Sequence, residues 1–339
     1  MSAALTDSFG RRHTTLRLAI AERCSLRCTY CMPADGLDWT PNRDLLTTDE
    51  IARLAAVFVG LGVEKVRLTG GEPLVRNDAV EVARRISGLG VRLAITTNGL
   101  ALAKNLPALR EAGVDAITVS LDTLRADRFR QLTRRDGLDR VLASLNAAIA
   151  HGYGLGTGRP LKLNAVVLRG QNDDEVADLA ALALRLPIEV RFIEWMPFAG
   201  LGWDRQSLVP WTETRDRIEA AHGPLVPRED ASDSTAQTFD FSSDAPGRIG
   251  FIASMTAPFC SGCSRLRITA DGALKVCLFG TREVSLRDAI RSGATDDDLR
   301  QLVADAVARK QRAHAGQTLG LGALAASAGE NRAMIAIGG

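Results

Sequence analysis

Between residues 15 and 196, strand-like stretches alternate with helical ones, and that alternation constrains the fold more than any other feature of the chain. "TLRLAIA", "KVRLTG", "VRLAITTNG", "DAITVSLDT", "LKLNAVVL" and "EVRFIEWM" read as strands. Between them "TTDEIARLAAVFVGLG", "AVEVARRISGLG", "ALAKNLPALREAG", most of 125–151, and "DEVADLAALALRL" carry helical apolar spacing. The first helix opens on a capping box, Thr47 to Glu50. Six strands alternating with helices predict a parallel α/β array. No Gly-x-Gly-x-x-Gly follows the first strand, so a dinucleotide site is not expected. Periodicity alone leaves an open barrel and a doubly wound sheet both standing.

Charges inside the strands bear on that choice. Parallel strands buried on both faces read as nearly continuous apolar runs, yet Arg17, Arg67, Lys162, Arg191 and Glu194 interrupt these. One or two such charges can snorkel from an edge. Several together favour a polar, water-accessible interior, as in a barrel built around a ligand. All but Glu194 are positive, which points to a polyanionic guest such as a nucleoside triphosphate. Loops after the carboxyl ends of such strands carry the chemistry. In "LTGGEP", Gly70 and Gly71 permit close approach to the backbone, and Pro73 holds Glu72 extended.

The cysteines fall into two groups of three: Cys24, Cys28 and Cys31, then Cys260, Cys263 and Cys277. Odd-numbered clusters pair poorly as disulfides, and structural zinc prefers four closed ligands. Two triplets with no histidine beside them fit iron–sulfur centres that each leave one iron open. The formal charge of +2 marks neither nucleic acid nor membrane as a partner. The first twenty residues hold no apolar signal-peptide core, and no run approaches the ~18 apolar residues of a membrane span. A cytoplasmic location is the expectation.

"CSLRCTYC", with Tyr30 before the last cysteine, resembles the radical S-adenosylmethionine (SAM) superfamily, as do "TGGEP", "TTNG" and "VSLD". The C-terminal "FCSGCSRLRITADGALKVCLF" and the terminal "GG" make nearly the whole chain similar to the molybdenum cofactor biosynthesis protein A family of GTP 3′,8-cyclases. The resemblance implies an incomplete TIM-type barrel of about six parallel βα units over residues 1–227. A polar hairpin or linker would follow at 228–247, then a C-terminal region, 248–339, carrying a second cluster. Cys24, Cys28 and Cys31 would hold a [4Fe–4S] cluster whose fourth iron is ligated by SAM, and Cys260, Cys263 and Cys277 a second one facing GTP. Tyr30, Gly71, Ser120 and Met196 would contact SAM; Arg17, Arg67, Thr96, Lys162, Arg265, Leu266 and Arg267 would bind GTP. Arg265, Arg267, Gly338 and Gly339 would serve the reaction itself.

The implied chemistry is removal of the 3′ hydrogen of GTP by a 5′-deoxyadenosyl radical, followed by attack of the carbon radical on guanine C8. The product would be 3′,8-cyclo-7,8-dihydro-GTP. An electron donor of the reduced flavodoxin or ferredoxin type, a downstream cyclic pyranopterin monophosphate synthase and a homodimer are implied in the same way. Two features depart from the family: Ser264 stands where Asn or Asp is common, and the loop 151–160, "HGYGLGTGRP", is longer and richer in glycine. A radical SAM peptide maturase would carry more C-terminal cysteines. A non-catalytic metal-binding scaffold would have no use for the charged strands.

Overall fold

The computed structural model describes residues 5–33, 36–198, 201–316 and 331–338. The alternation appears as β1 (Thr15–Ala21), α1 (Thr48–Gly60), β2 (Lys65–Gly70), α2 (Ala79–Ser87), β3 (Arg92–Thr97), α3 (Leu102–Glu111) and β4 (Ala116–Ser120). It continues with α4 (Ala126–Thr133), α5 (Leu138–Ala150), β5 (Leu161–Val167), α6 (Val176–Arg185) and β6 (Glu189–Glu194). The capping box forms as the sequence predicts. Thr47 Oγ1 accepts from the Glu50 N–H at 3.2 Å, and Glu50 Oε2 from the Thr47 N–H at 2.8 Å. The helical stretch 125–151 is two helices, because Arg134 (φ 56°) and Gly137 (φ 142°) leave helical geometry between them.

Beyond β6 come α7 (Trp211–His222), β7 (Leu225–Pro227), β8 (Gln237–Phe241), β9 (Arg248–Ile252), β10 (Arg265–Ile268), β11 (Ala273–Lys275), β12 (Val284–Ser285), α8 (Leu286–Arg291) and α9 (Asp296–Ala308). Among the described residues all twelve strands join one sheet, in the order β12-β11-β10-β1-β2-β3-β4-β5-β6-β9-β8-β7. The run from β10 through β1–β6 to β9 is parallel throughout. β9 and β10 follow one another in sequence yet stand on opposite flanks, so the barrel is incomplete. Residues 253–264 run along its open side, from the carboxyl end of β9 to the amino end of β10.

Side chains alternate with period two across this curved sheet. Leu16, Leu18, Val66, Leu68, Leu163 and Val190 point outward and are fully buried beneath the helices. The charged and hydroxylic positions between them, Arg17, Arg67, Thr118 and Lys162, face the interior. Within 228–247, β8 pairs antiparallel with both β7 and β9 and extends the sheet. Its Phe239 packs with Phe251, Phe192 and Trp211 into an aromatic cluster under α7. Among the described residues no helix is long and apolar enough to cross a membrane.

Phe251, 1% exposed, touches three other rings at the centre of that cluster. Phe251→Ala is expected to cost about 3–5 kcal/mol through lost burial and an unfilled cavity. A denaturant-midpoint shift equivalent to under ~1 kcal/mol would show that the β7–β9 extension contributes little to stability.

Candidate active site

The two cysteine triplets sit at opposite ends of the barrel interior. Cys24, Cys28 and Cys31 follow the carboxyl end of β1, while Cys263 precedes the amino end of β10, whose Arg265 pairs in register with Thr15 at the start of β1. The ends of a strand this long are roughly 20 Å apart. β11 returns antiparallel, with Lys275 opposite Arg267, and brings Cys277 back toward Cys263. All six cysteines are unpaired thiols lining one cavity of about 300 Å³.

At the first triplet the double glycine meets a requirement of the backbone. A Cβ on Gly70 would lie 2.1 Å from the Ala21 carbonyl oxygen, and one on Gly71 2.4 Å from that of Glu22. The space read from sequence as room for a ligand is thus filled on that side by the chain entering the cysteine loop. The next residue, Glu72, is fully buried. It accepts from the N–H groups of Leu74 (3.0 Å) and Asn98 (2.6 Å) and from Thr97 Oγ1 (2.8 Å), locking the ends of β2 and β3 together. Burial pushes its carboxyl up to about 6. Asn98, positioned this way, donates to Ser25 Oγ at 2.9 Å and to Cys24 Sγ at 3.6 Å. Tyr30 donates to Asp122 Oδ2 at 2.6 Å, and Asp122 Oδ1 takes the Val166 N–H at 2.8 Å. Ser120 and Met196 line the same cavity.

Between the triplets lies a belt of positive charge. Arg267, Arg17 and Arg67 are register partners on three adjacent parallel strands, so they stand side by side on the inner face. Arg67 is aimed across the interior by Thr96 Oγ1 (3.1 Å) and Thr118 Oγ1 (2.9 Å). On β6, Glu189 pairs with Arg191 and, at 3.5 Å, with Lys162. Among the described residues no carboxylate reaches Arg17, Arg67, Arg265 or Arg267. Like charges ~5 Å apart repel by about 3 kcal/mol at an effective dielectric of ~20, so the belt is poised for an anion. Burial, then neighbouring arginines, push Arg17 well below its ordinary range, and Arg67 and Arg267 down to about 10. Leu266 points the other way, fully buried under the helices, so it offers the interior only its backbone.

At the second triplet Arg265 stacks 4.7 Å over the Phe259 ring and leaves Nη1 buried, without a partner among the described residues. Burial would raise the Cys263 thiol, but the charges of Arg265 and Lys310 outweigh it and hold it at about 6. The chain's end also enters here. Lys275, completely buried, binds Asn331 and Glu283 at 3.0 Å, and Arg332 grips Asp271 and Glu283. Held so, the short helix Met334–Ile337 delivers Gly338, whose carbonyl accepts from Arg267 Nη1 at 2.9 Å. A Cβ there would lie 2.7 Å from Thr69 Oγ1, and φ is +82°, so glycine is required. Gly339 lies outside the described residues.

The sequence matches two known domain types. Residues 18–183 match the Radical SAM superfamily, and residues 188–316 match Molybdenum Cofactor Synthesis C. The chain is 49% identical over 341 residues to the mitochondrial GTP 3′,8-cyclase of Arabidopsis thaliana, covering 100% of this chain and 84% of that one. It is 43% identical over 350 residues to the GTP 3′,8-cyclase of Paenarthrobacter nicotinovorans, covering 99% and 97%. The chain belongs to the GTP 3′,8-cyclase family. Molybdenum cofactor biosynthesis protein 1 of Mus musculus is 50% identical over 319 residues, and the chain spans about half of that protein, 49%. The solved structure of Streptococcus suis SuiB bound to S-adenosylmethionine is similar with a TM-score of 0.56 at 15% identity. It covers 85% of this chain and 67% of that one, a likeness of fold alone.

Membership in a radical SAM family brings a [4Fe–4S] cluster and SAM, and the first triplet suits them. Three thiols face one cavity, with the Leu26 N–H at 3.4 Å and the Asn98 amide aimed at the Cys24 sulfur, as a coordinated thiolate needs. Burial pushes Cys28 well up and Cys31 up to about 12, so loading a metal there releases protons. Among the described residues Thr69 Oγ1, Asn164 Oδ1 and His314 Nδ1 line the cavity buried and without hydrogen-bond partners, ready for a polar guest. Sequence reasoning met Asn98 and Asp122 only inside "TTNG" and "VSLD", and did not single out Asn164, Lys310 or His314. Asn164 was within reach, since it shares Lys162's face at a spacing of two. Lys310 and His314 carry no local signal.

Lys162 is held down at about 7 by burial and by the charge of Arg191. In the free protein it is neutral when folded and charged when unfolded above that value, so its contribution to stability rises from about pH 7 toward its ordinary 10.5. An anion bound beside it would restore its charge. Inorganic tripolyphosphate is therefore expected to bind with proton uptake between about pH 7 and 8. Calorimetry in buffers of different ionisation enthalpy reads that uptake, and Lys162→Met should abolish it. Heats independent of the buffer would remove Lys162 from the anion site.

Proposed function

We propose that this chain converts GTP to 3′,8-cyclo-7,8-dihydro-GTP, the first step of molybdenum cofactor biosynthesis. One observation carries the reading: Arg17, Arg265 and Arg267, which no carboxylate reaches among the described residues, line a cavity with a cysteine triplet at each end, and Arg67 stands beside Arg17 in register. A substrate with a base at one end, a triphosphate to be held and a ribose between them suits that geometry.

In this reading Cys24, Cys28 and Cys31 hold the cluster that binds SAM, and Tyr30, Gly71, Ser120 and Met196 surround SAM. When bound, cluster and SAM supply a carbon radical able to take a hydrogen atom from an unactivated C–H bond. The chain's own residues decide which hydrogen. Arg17, Arg67, Thr96, Lys162 and Arg267 grip the substrate's negative charge, with Leu266 contributing backbone only. Cys260, Cys263 and Cys277 would hold a second [4Fe–4S] cluster beside the place left for the guanine base. Anchoring at both ends restrains the ribose, and such restraint supplies much of the rate in reactions of this kind. Arg265, Arg267 and Gly338 close the space around the ribose, where a side chain on Gly338 would collide with Thr69. Residues 1–227 act as the radical core, 228–247 as a connection whose strand β8 extends the sheet, and 248–339 as the part that completes the site. A one-electron donor and an enzyme that consumes the cyclised product are the partners this chemistry requires.

The test uses anaerobically reconstituted protein, dithionite, SAM and GTP deuterated at the 3′ position. 5′-Deoxyadenosine heavier by one mass unit, formed only with GTP, is the expected result. SAM cleavage without deuterium transfer would remove GTP as the hydrogen donor, and no cleavage with clusters intact would favour a scaffold.

A further inference from the structure

Behind the second triplet, the segment ahead of β1 meets the segment after α9. Lys310 is 3% exposed. Its Nζ donates to the Arg265 carbonyl at 3.0 Å, lies 3.4 Å from Cys263 Sγ, and is 3.5 Å from His13 Nδ1. His13 Nε2 is fixed 3.1 Å from Asp7 Oδ2, which also takes Arg11 Nε at 2.7 Å. Arg11 in turn donates to the carbonyls of Cys260 (2.8 Å), Arg312 (2.7 Å) and Gln311 (2.9 Å). One buried network thus braces two of the three cysteines and the strand that follows them.

A buried ammonium is costly unless it is paired. Among the described residues no carboxylate lies within ion-pair distance of Lys310. Its contacts are a carbonyl, an imidazole nitrogen and a cysteine sulfur, so the anionic group it can answer is the Cys263 thiolate. We propose that Lys310 is a positioning residue for the second cluster, fixing Cys263 by an N–H···S hydrogen bond and favouring the cluster's reduced state. The inference rests on the reading that Cys260, Cys263 and Cys277 hold such a cluster. Its physical basis is simple: one-electron reduction adds negative charge to the cluster and its sulfurs, and a nearby cation donating to a ligand sulfur lowers that cost.

The test is made in the full chain carrying Cys24→Ala, Cys28→Ala and Cys31→Ala, so that only the second cluster assembles. Iron content and an EPR-monitored redox titration are compared with and without Lys310→Met or Lys310→Arg. The parent should hold about four irons per chain. Lys310→Met should move the midpoint potential to a more negative value, and Lys310→Arg should bring it back toward the parent. Equal potentials in all three proteins overturn the proposal. Should Lys310→Met lose its iron, Lys310→Arg must recover both iron and potential, and failure to do so overturns the proposal as well. A parent that binds no iron sinks the second-cluster reading, and this inference with it.

Discussion

Positive charge stacked along the inner face of a parallel sheet is the constraint on which the rest of this structure depends. Arg267, Arg17 and Arg67 occupy equivalent register positions on neighbouring strands. Such a row is unfavourable in a closed apolar barrel, where burying unpaired charge costs several kcal/mol per ion. An interior that stays open and polar, and that expects an anionic guest, resolves the conflict. Leaving β9 and β10 unpaired with each other creates that opening, and the segment across it carries Cys260 and Cys263.

Buried carboxylates then hold the two flanks of the cavity in place at the carboxyl ends of the strands. Glu72 ties the ends of β2 and β3 to each other and so orients Asn98 toward the first cysteine loop. Glu194 does the corresponding work on the far flank. It accepts from the N–H groups of Trp211 (3.0 Å), Met255 (2.8 Å) and Thr256 (2.9 Å), directing the chain after β9 toward Cys260. That is why a charge stands at the end of β6: it serves the loop that follows. The C-terminal tail is guided by the same means, through Lys275 with Asn331 and Arg332 with Asp271.

Much of the fold was legible in the chain because its signals are local. The capping box at Thr47, the period of two in "LKLNAVV" and the helical spacing of "DEIARLAAVF" each depend on neighbours a few residues away, and each element forms where they indicate. The break between α4 and α5 was less legible, since Arg134 adopts a left-handed conformation that its residue type does not announce. Gly70 and Gly71 show how a correct choice of residue can be read for an incomplete reason: their small size admits the backbone of residues 21–23.

By itself the sequence determined the parallel α/β class, the inward arginines and the two cysteine triplets, because alternation and ligand spacing are properties of short segments. Tertiary structure alone decided that β9 and β10 flank the barrel without closing it, and that Lys310 and His314 arrive beside the second triplet. Those outcomes depend on which distant strands pair and where the chain returns. Residues 13, 263 and 310 become neighbours only once the whole sheet has curved around its charge.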